Sequence, residues 1–469
     1  MMDGVSITVI NDSTDVDSIT VYSKTTTAFS VASVFDQANN ISELPSPLRE
    51  PLSARYKNSF AFETFRERVP QILSDLINSL YQNEKRIMEK YGSYAHFELR
   101  RIVWSLDILH NEVLENKPFK YFYDKSPDSL EWNSFIKGLV NREKNQWFSA
   151  NWMHAECYLY RRIWMAFQRS ELLKDYDYFS QKKICSTRNF VYLFRAVLND
   201  IKDLTYCYSS FVSMLKLSLW ANRCDLSITS AVPSETIWNS LNKQNRHLLV
   251  DQSEDVWQFL TTGVHSSVSP PMVDIILDNA GFELFADLLL GVYLIDSKLA
   301  IKVRYHVKAI PYYVSDVTAN DFRWMLNFLL HHEIPEFSYL GRKLRYFMRQ
   351  GFFVLFETCK FWTRPQGFKY MSKLAPCLFV QLSFSALAIF KGDLNYRKLL
   401  DDINYSPTTP FKECLGGFQP TSICALRCIK SDLYCGLPNC LVELLTVNNP
   451  SWMRTGDKAI IQLAVKQIP

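Results

Sequence analysis

The sequence predicts an α/β protein: a three-layer α/β/α domain with a mostly parallel sheet, preceded by an all-helical domain. Three observations carry that expectation. From Phe60 to about residue 225 apolar residues recur at helical spacing. After about Asn239, short β-rich apolar runs alternate with longer helical ones, the pattern of βα units. Runs such as "MVDIIL" and "SICALRCIK" are apolar nearly throughout, as strands covered on both faces are.

Taken in order, residues 1–55 are rich in Ser, Thr, Asp and Asn, lack helical periodicity and close with the three prolines of "ELPSPLREPLS". They are expected to form a mobile extension that catalysis does not need, although "SITVYS" could form a strand. Residues 56–235 are expected to be the helical domain. Val69, Ile72, Leu73, Leu76, Ile77 and Leu80 form one apolar stripe, with Pro70 in the first turn, where a missing N–H does no harm, and Gly92 as the stop. Leu99, Ile102, Val103, Leu106, Leu109 and Val113 form a second stripe, ended by Pro118. "WMHAECYLYRRIWMAF" and "LKLSLWANRCDLS" read as further helices.

Residues 236–469 are expected to be the α/β/α domain, which binds metal and phosphate. "MVDIIL" reads as a strand, "FELFADLLLGVYLID" as a helix, "AIKVRYHVK" as a strand and "FRWMLNFLL" as a helix. "FFVLFE" and "LAIF" read as strands around the helix in "APCLFVQL", and "SICALRCIK" as the last strand. In such sheets ligands bind beyond the carboxyl ends of the strands.

Composition narrows the function class. Lys+Arg exceed Asp+Glu by 52 − 48 = 4 over 469 residues, too mild an excess to imply a nucleic-acid partner. The 11 cysteines are an odd number without C-x-x-C pairs, which argues against a disulfide framework or a structural zinc site and for reduced thiols in the cytoplasm or nucleus. No signal peptide is expected. "LAPCLFVQLSFSALAIF" is interrupted by Gln381, Ser383 and Ser385 and is expected to be a buried helix followed by a strand, not a membrane span.

Polar residues gather where strands are expected to end. Asp278 and Asn279 follow "VDIIL", Asp316 follows "PYYVS", "KGDLNYRKL" follows "LAIF", and Arg427 and Lys430 close the last strand. Asp278, Asn279 and Asp316 offer only oxygen ligands, which suit hard cations such as Mg²⁺ or Mn²⁺. Lys391, Arg397, Lys398, Arg427 and Lys430 offer donors to phosphate oxygens. Gly281 and Gly392 allow backbone N–H groups close to an anion at a helix N-terminus. A divalent ion beside a cationic cradle suits phosphoryl chemistry.

The blocks "SLWANRCDLS", "LDNAGFEL", "VSDVTANDF", "FKGDLNYRKL" and "LRCIK", with "SFAFETFRERVPQIL" and "ECYLYRRI", resemble the signature blocks of the metal-dependent damage-control phosphatases. The likeness is greatest to the sugar-phosphate phosphatase subfamily, also described as acidic-residue (protein-glutamate) O-methyltransferases, and it runs from about Ser59 to the C-terminus. The resemblance implies that Asp278, Asn279 and Asp316 hold a Mn²⁺, Co²⁺, Ni²⁺ or Mg²⁺ ion. It implies that Asp393, Leu394, Asn395, Tyr396, Arg397 and Lys430 bind the phosphorylated substrate, with Glu283 at the pocket. Asn222, in a block with Asp225, is implied to approach the phosphate or metal from the helical domain. Two departures stand out: Cys428 replaces the threonine of an Arg-Thr-x-Lys motif, and Ala221 a common glycine.

The function expected is hydrolysis of small phosphomonoesters, with substrates like fructose 1-phosphate and fructose 6-phosphate implied by the resemblance. Lys430 and Arg397 would hold phosphoryl oxygens, Asp393 would contact sugar hydroxyls, and Asp278 doubles as candidate base. The alternative is S-adenosylmethionine-dependent methyl transfer to protein glutamates. Against it, the chain has no G-x-G cofactor loop. A third reading, a non-catalytic helical interaction protein, is disfavoured by the intact Asp278, Asn279 and Asp316 set.

Overall fold

The computed structural model describes residues 31–202, 204–227, 243–262, 271–357 and 359–467. The chain divides into two compact units, Met1–Asn40 and Ile41–Pro469. The first contains the helix Val31–Ala38. The strand considered in "SITVYS" lies outside the described residues.

Residues 41–55 correct the expected extension, because they belong to the large unit. Leu52 and Ala54 are buried. The Leu52 N–H donates to the Asp402 carbonyl at 2.8 Å and the Arg49 N–H to the Asn404 carbonyl at 2.7 Å, while Ser53 Oγ donates to the Ala150 carbonyl at 2.9 Å. The prolines that suggested a linker lack N–H groups, and the residues between them do the pairing. A chain beginning at Tyr56 is therefore expected to melt below one beginning at Ile41. Loss of the Leu52 packing alone removes about 1.5–3 kcal/mol. Equal melting temperatures by calorimetry would show that residues 41–55 add nothing to the fold.

The helical stripes appear where the spacing places them. The helix Val69–Gln82 has Pro70 in its first turn and buries Leu73, Leu76, Ile77 and Leu80. The helix Ala95–Leu114 buries all six residues of the second stripe. One boundary differs: the first stripe ends at Gln82 and a separate helix, Glu84–Tyr91, follows. Asn83 makes the break at φ −95° and ψ 3°, its Nδ2 donating to the Ser79 carbonyl at 2.8 Å beside its own N–H. The helices Trp152–Gln168 and Tyr208–Ser227 complete the part that reaches the sheet. No described helix is long and apolar enough to cross a membrane, and all ten described cysteines carry free thiols.

The sheet has seven strands: β1 (Leu248–Asp251), β2 (Met272–Ile276), β3 (Lys302–His306), β4 (Phe353–Phe356), β5 (Leu387–Lys391), β6 (Ser422–Cys428) and β7 (Ala459–Ala464). Their order is β1-β7-β6-β5-β2-β3-β4. Strands β2 to β6 run parallel. Strand β7 is antiparallel to β6 and parallel to β1, so the last two run the other way. Thus "SICALRCIK" is not the last strand: β7 follows it and lies between β6 and the edge strand β1. The expected mostly parallel α/β sheet stands.

Both faces are covered. Val273, Ile275, Val303, Tyr305, Leu387 and Ile389 enter one core with Phe194, Leu215, Phe285 and Leu344 from the helices on that side. The alternating residues Asp274, Arg304 and His306 face the other way. There Arg304 grips Asp274 with Nε at 2.7 Å and Nη2 at 2.6 Å, and His306 Nε2 lies 2.8 Å from Asp274. The chain leaves β2 toward β3 and β4, then returns to β5 on the other side of β2. The carboxyl ends of β2 and β5 therefore flank the topological switch point, where open α/β sheets leave a crevice.

Candidate active site

Asp278 lies two residues beyond β2, and Gly392 opens the helix Gly392–Leu399 directly after β5. The β2–β5 register pairs Ile276 with Phe390, which brings Asp278 opposite Gly392. Gly392 has φ +80°, and a Cβ there would fall 1.9 Å from Asp278 Oδ2. Its glycine thus admits the protein's own carboxylate at the switch point. The segment 315–317 runs alongside: Ala280 N–H donates to the Ser315 carbonyl and Val317 N–H to the Asp278 carbonyl, each at 2.8 Å. Asn279 and Asp316 form a bridge between the two segments. Gly281, at φ +77°, turns the chain into the helix Phe282–Asp296, which carries Glu283 in its first turn.

These turns bring four predicted residues into direct contact. Asn222 Nδ2, from the helix Tyr208–Ser227, donates to Asp278 Oδ2 and Glu283 Oε2, both at 2.8 Å. Asn279 Nδ2 donates to the same two oxygens, at 2.8 and 2.9 Å. Ser315 Oγ donates to Asn279 Oδ1 at 2.6 Å. Asp316 joins through Lys308, whose Nζ lies 3.4 Å from Asp316 Oδ2 and donates to the Leu277 carbonyl at 2.9 Å. The side chain of Asp225 lies outside the described residues.

Burial sets the electrostatics. Desolvation, with Glu283 and Asp316 nearby, pushes the Asp278 carboxyl well above the usual carboxylate range. Desolvation pushes Asp316 up to about 6 against the pull of Lys308. It pushes Asp287, one helical turn beyond Glu283, up to about 7 against the pull of Lys391. Lys391 Nζ sits 3.2 Å from Glu283 and 3.0 Å from Asp287, and it also donates to Ser218 Oγ at 2.9 Å. Lys391 thus fixes the carboxylates, a role different from the expected phosphate donor. Lys308 and Asp287 were missed because each sits inside a run that reads as apolar strand or helix.

The basic and substrate-binding set divides. Lys430 Nζ donates to the Asn222 carbonyl at 3.1 Å and, among the described residues, has no carboxylate partner. Arg397 is committed elsewhere: it holds Asp402 through Nε at 2.8 Å and Nη2 at 2.9 Å, and Glu156 through Nη1 at 2.6 Å, over the Trp152 ring. Arg427 is fully buried and donates to Asp393 Oδ1 at 2.7 Å and to the Leu433 carbonyl at 2.6 Å. Neither arginine side chain is free to meet a phosphate as the sequence reading has it. Their planar, always-charged groups instead tie distant segments together. Asp393 Oδ1 also accepts from the Lys430 N–H and from Ser431 Oγ, both at 3.1 Å. Arg427 and Arg397 hold the Asp393 carboxyl below its usual range in spite of burial. Tyr396 turns away from the crevice, its hydroxyl donating to Gln462 at 2.8 Å. Leu394 is buried, and Asn395 Nδ2 donates to the Lys391 carbonyl at 2.7 Å. Lys398 donates to the Arg364 carbonyl, and burial pulls its amine down.

The donor set suits a hard cation. Asn222 Oδ1 is buried and accepts no hydrogen bond, while the buried Glu283 Oε1 and Asp316 Oδ2 face only the amines of Lys391, at 3.2 Å, and Lys308, at 3.4 Å. The amide groups of Asn222 and Asn279 direct their Nδ2 at the carboxylates, and a half-turn of each amide would direct its oxygen there instead. No group of three His, Cys, Asp or Glu side chains capable of holding a metal occurs among the described residues. The set relies on amides and carboxylates together, the chemistry of oxygen-bound ions.

Comparison with known proteins places these residues in a family. The model of the damage-control phosphatase ARMT1-like domain matches residues 64–445, which include every residue of the cluster. Damage-control phosphatase ARMT1 of Mus musculus is 34% identical over 432 residues, covering 88% of this chain and 97% of that protein. The Danio rerio protein of the same name is 35% identical over 434 residues, with the same coverage of 88% and 97%. The Homo sapiens protein is 33% identical over 430 residues, again covering 88% and 97%. With its helical region, its switch-point cluster and its lysine after β6 all inside that match, the chain belongs to the ARMT1-like damage-control phosphatase family.

Proposed function

We propose that this member of a phosphatase family is a divalent-metal-dependent phosphomonoesterase acting on small sugar phosphates, including ketose phosphates like fructose 1-phosphate and fructose 6-phosphate. One observation carries the reading. Buried carboxylate and amide oxygens gather at the switch point, Asn222 Oδ1 among them without a donor, and Lys430, an amine with no carboxylate partner among the described residues, bonds the backbone of Asn222 beside them. Asp278, Asn279 and Asp316 would hold a Mn²⁺, Co²⁺, Ni²⁺ or Mg²⁺ ion, flanked by Asn222 and Glu283. Such an ion, when bound, polarises a phosphoryl oxygen and offsets charge that develops on it.

The chain's own groups would do the rest. Lys430 would donate to a phosphoryl oxygen, a charge-assisted bond worth about 1.5–3 kcal/mol. Asp393 positions that amine by accepting the Lys430 N–H. Its recorded contacts with Arg427, Lys430 and Ser431 all use Oδ1, and Oδ2 is the atom we assign to a sugar hydroxyl. Arg427 and Arg397 keep the 393–397 turn in register. Lys391 holds Glu283 oriented toward the two asparagines.

Release of inorganic phosphate from fructose 1-phosphate by the full chain tests the reading. It is expected to stop in chelator, return on adding Mn²⁺, Co²⁺ or Ni²⁺, and proceed without S-adenosylmethionine. Release that survives chelation would remove the metal from the proposal. Methyl transfer to protein glutamate without phosphate release would replace it.

Metal affinity is expected to rise with pH. A carboxyl whose proton is held up to about 6 must release it before it can ligate, so at Asp316 binding expels a proton at pH 5 and almost none at pH 8. The rise in melting temperature caused by a fixed Mn²⁺ concentration should therefore be larger at pH 8 than at pH 5. An equal rise at both would separate Asp316 from the ion.

A further inference from the structure

A second cavity, of about 460 Å³, lies against the helix Ala95–Leu114 and the helix Trp152–Gln168, and shares no residue with the switch-point cluster. Trp104, Tyr121 and Tyr123 line it together with Lys120, Arg162 and Arg169. Its volume falls within the range of small-molecule sites, roughly 300–1,000 Å³.

The aromatic side chains are presented on purpose-built backbone. In residues 119–123 Phe119 and Phe122 are buried, while Lys120, Tyr121 and Tyr123 face out. The strap is pinned from behind. The Lys120 N–H donates to Tyr158 Oη at 2.7 Å, and that hydroxyl donates back to the Lys120 carbonyl at 3.1 Å. Asn133 brackets Phe122, accepting from its N–H and donating to its carbonyl, both at 2.7 Å. Trp104 is 66% exposed and Tyr123 80% exposed. Apolar rings held at the mouth of a cavity by a fixed backbone lose little freedom when something stacks on them.

The charges around the rings are unbalanced. Glu112 alone serves two cations, Lys120 at 2.6 Å and Arg162 at 2.8 Å. Arg169, at the end of its helix, has no acidic partner among the described residues. Three cations against one carboxylate leave a positive mouth, which concentrates anions. Arginine and lysine donors suit phosphate or carboxylate oxygens, and the exposed rings suit the face of a flat heterocycle.

We propose that this cavity binds a small anion that carries a flat aromatic ring, of the nucleotide class, at a site distinct from the switch-point cluster. The ring stacks on Trp104 and the tyrosines, and the phosphate is met by Lys120 and Arg169 with Arg162 behind them.

Calorimetric titration of the full chain with adenosine 5′-monophosphate, in chelator so that no turnover intervenes, tests it. Saturable binding is expected, with adenosine and inorganic phosphate each weaker by on the order of tenfold or more, because each offers only half of the contacts. Trp104→Ala and Arg169→Ala change exposed side chains, so melting temperature and phosphate release should stay at the parent level. Each variant should weaken nucleotide binding by on the order of tenfold. Lys430→Met should bind the nucleotide as the parent does. The proposal is overturned by absence of saturable binding, by inorganic phosphate binding as tightly as the nucleotide, by binding that Trp104→Ala and Arg169→Ala leave unchanged, or by binding that Lys430→Met abolishes.

Discussion

Asp278→Asn is expected to lose metal-dependent phosphate release and to raise the melting temperature of the metal-free protein. Activity should fall on the order of a thousandfold, because an anionic ligand and several kcal/mol of charge stabilisation go together. Stability should move the other way. Asp278 is buried, and Glu283 and Asp316 add to the desolvation that pushes its carboxyl far above the usual range. A carboxyl whose folded value is raised penalises the fold once it ionises, and the penalty is absent below about pH 4, where the unfolded chain is protonated too. The gain from a neutral side chain should therefore be nil in acid and grow toward pH 8, where it should amount to a few degrees. The amide keeps the size of the carboxyl, and its oxygen can still accept from Asn222 and Asn279. Thermal melts in chelator at two pH values, beside phosphate release after metal addition, measure both effects. Parent-level release from the variant would free Asp278 of its role, and a lower melting temperature at pH 8 would mean that its charge stabilises the fold.

What the sequence made legible follows from what local pattern encodes. Leu99, Ile102, Val103, Leu106, Leu109 and Val113 are all buried, because a 3.6-residue period needs no knowledge of the partner surface. Asp278, Asn279 and Lys430 could be read as a group because parallel strands deliver their carboxyl ends to one edge, whereas "PYYVS" is not a strand and Asp316 reaches the group from the loop between β3 and the helix Ala319–Leu330. Strands β1 and β7 escaped for the converse reason. Strand β1 has only four residues, none of them fully buried, and the apolar run of β7 is broken by the buried Gln462, which accepts from Tyr396.

Partnership was the part that local pattern could not supply. A basic run such as "NYRKL" shows that cations exist and not whom they meet. Arg397 meets Asp402 five residues on, but also Glu156, which lies 241 residues away. Arg427 meets Asp393 across 34 residues. Both cations thus serve as internal ties, and of the expected phosphate donors Lys430 keeps an amine that is not fully buried and has no acidic partner among the described residues. One signal was available: Asp287 is a single acid in the apolar run "FADLLL", and a charge so placed must find a buried counterpart, here Lys391.

Gly392→Ala is expected to damage fold and site together, and a second glycine separates the causes. The new methyl would stand 1.9 Å from Asp278 Oδ2 and 2.2 Å from its Cγ. The carboxylate has no easy retreat, since Asn222 and Asn279 hold it and Glu283 shares those donors. Holding alanine at positive φ costs about 1–2 kcal/mol, and forcing a carbon into a filled site adds about 1–3 kcal/mol. Gly351 has nearly the same φ, +76°, but open space where its Cβ would go. Gly351→Ala should therefore show the backbone cost alone, with metal response and phosphate release at the parent level. Gly392→Ala should lose both the Mn²⁺-dependent rise in melting temperature and the release of phosphate, because Asp278 must leave its place for the chain to fold at all. If both variants lost the same stability and both kept full activity, the contact between Gly392 and Asp278 would have no part in the site.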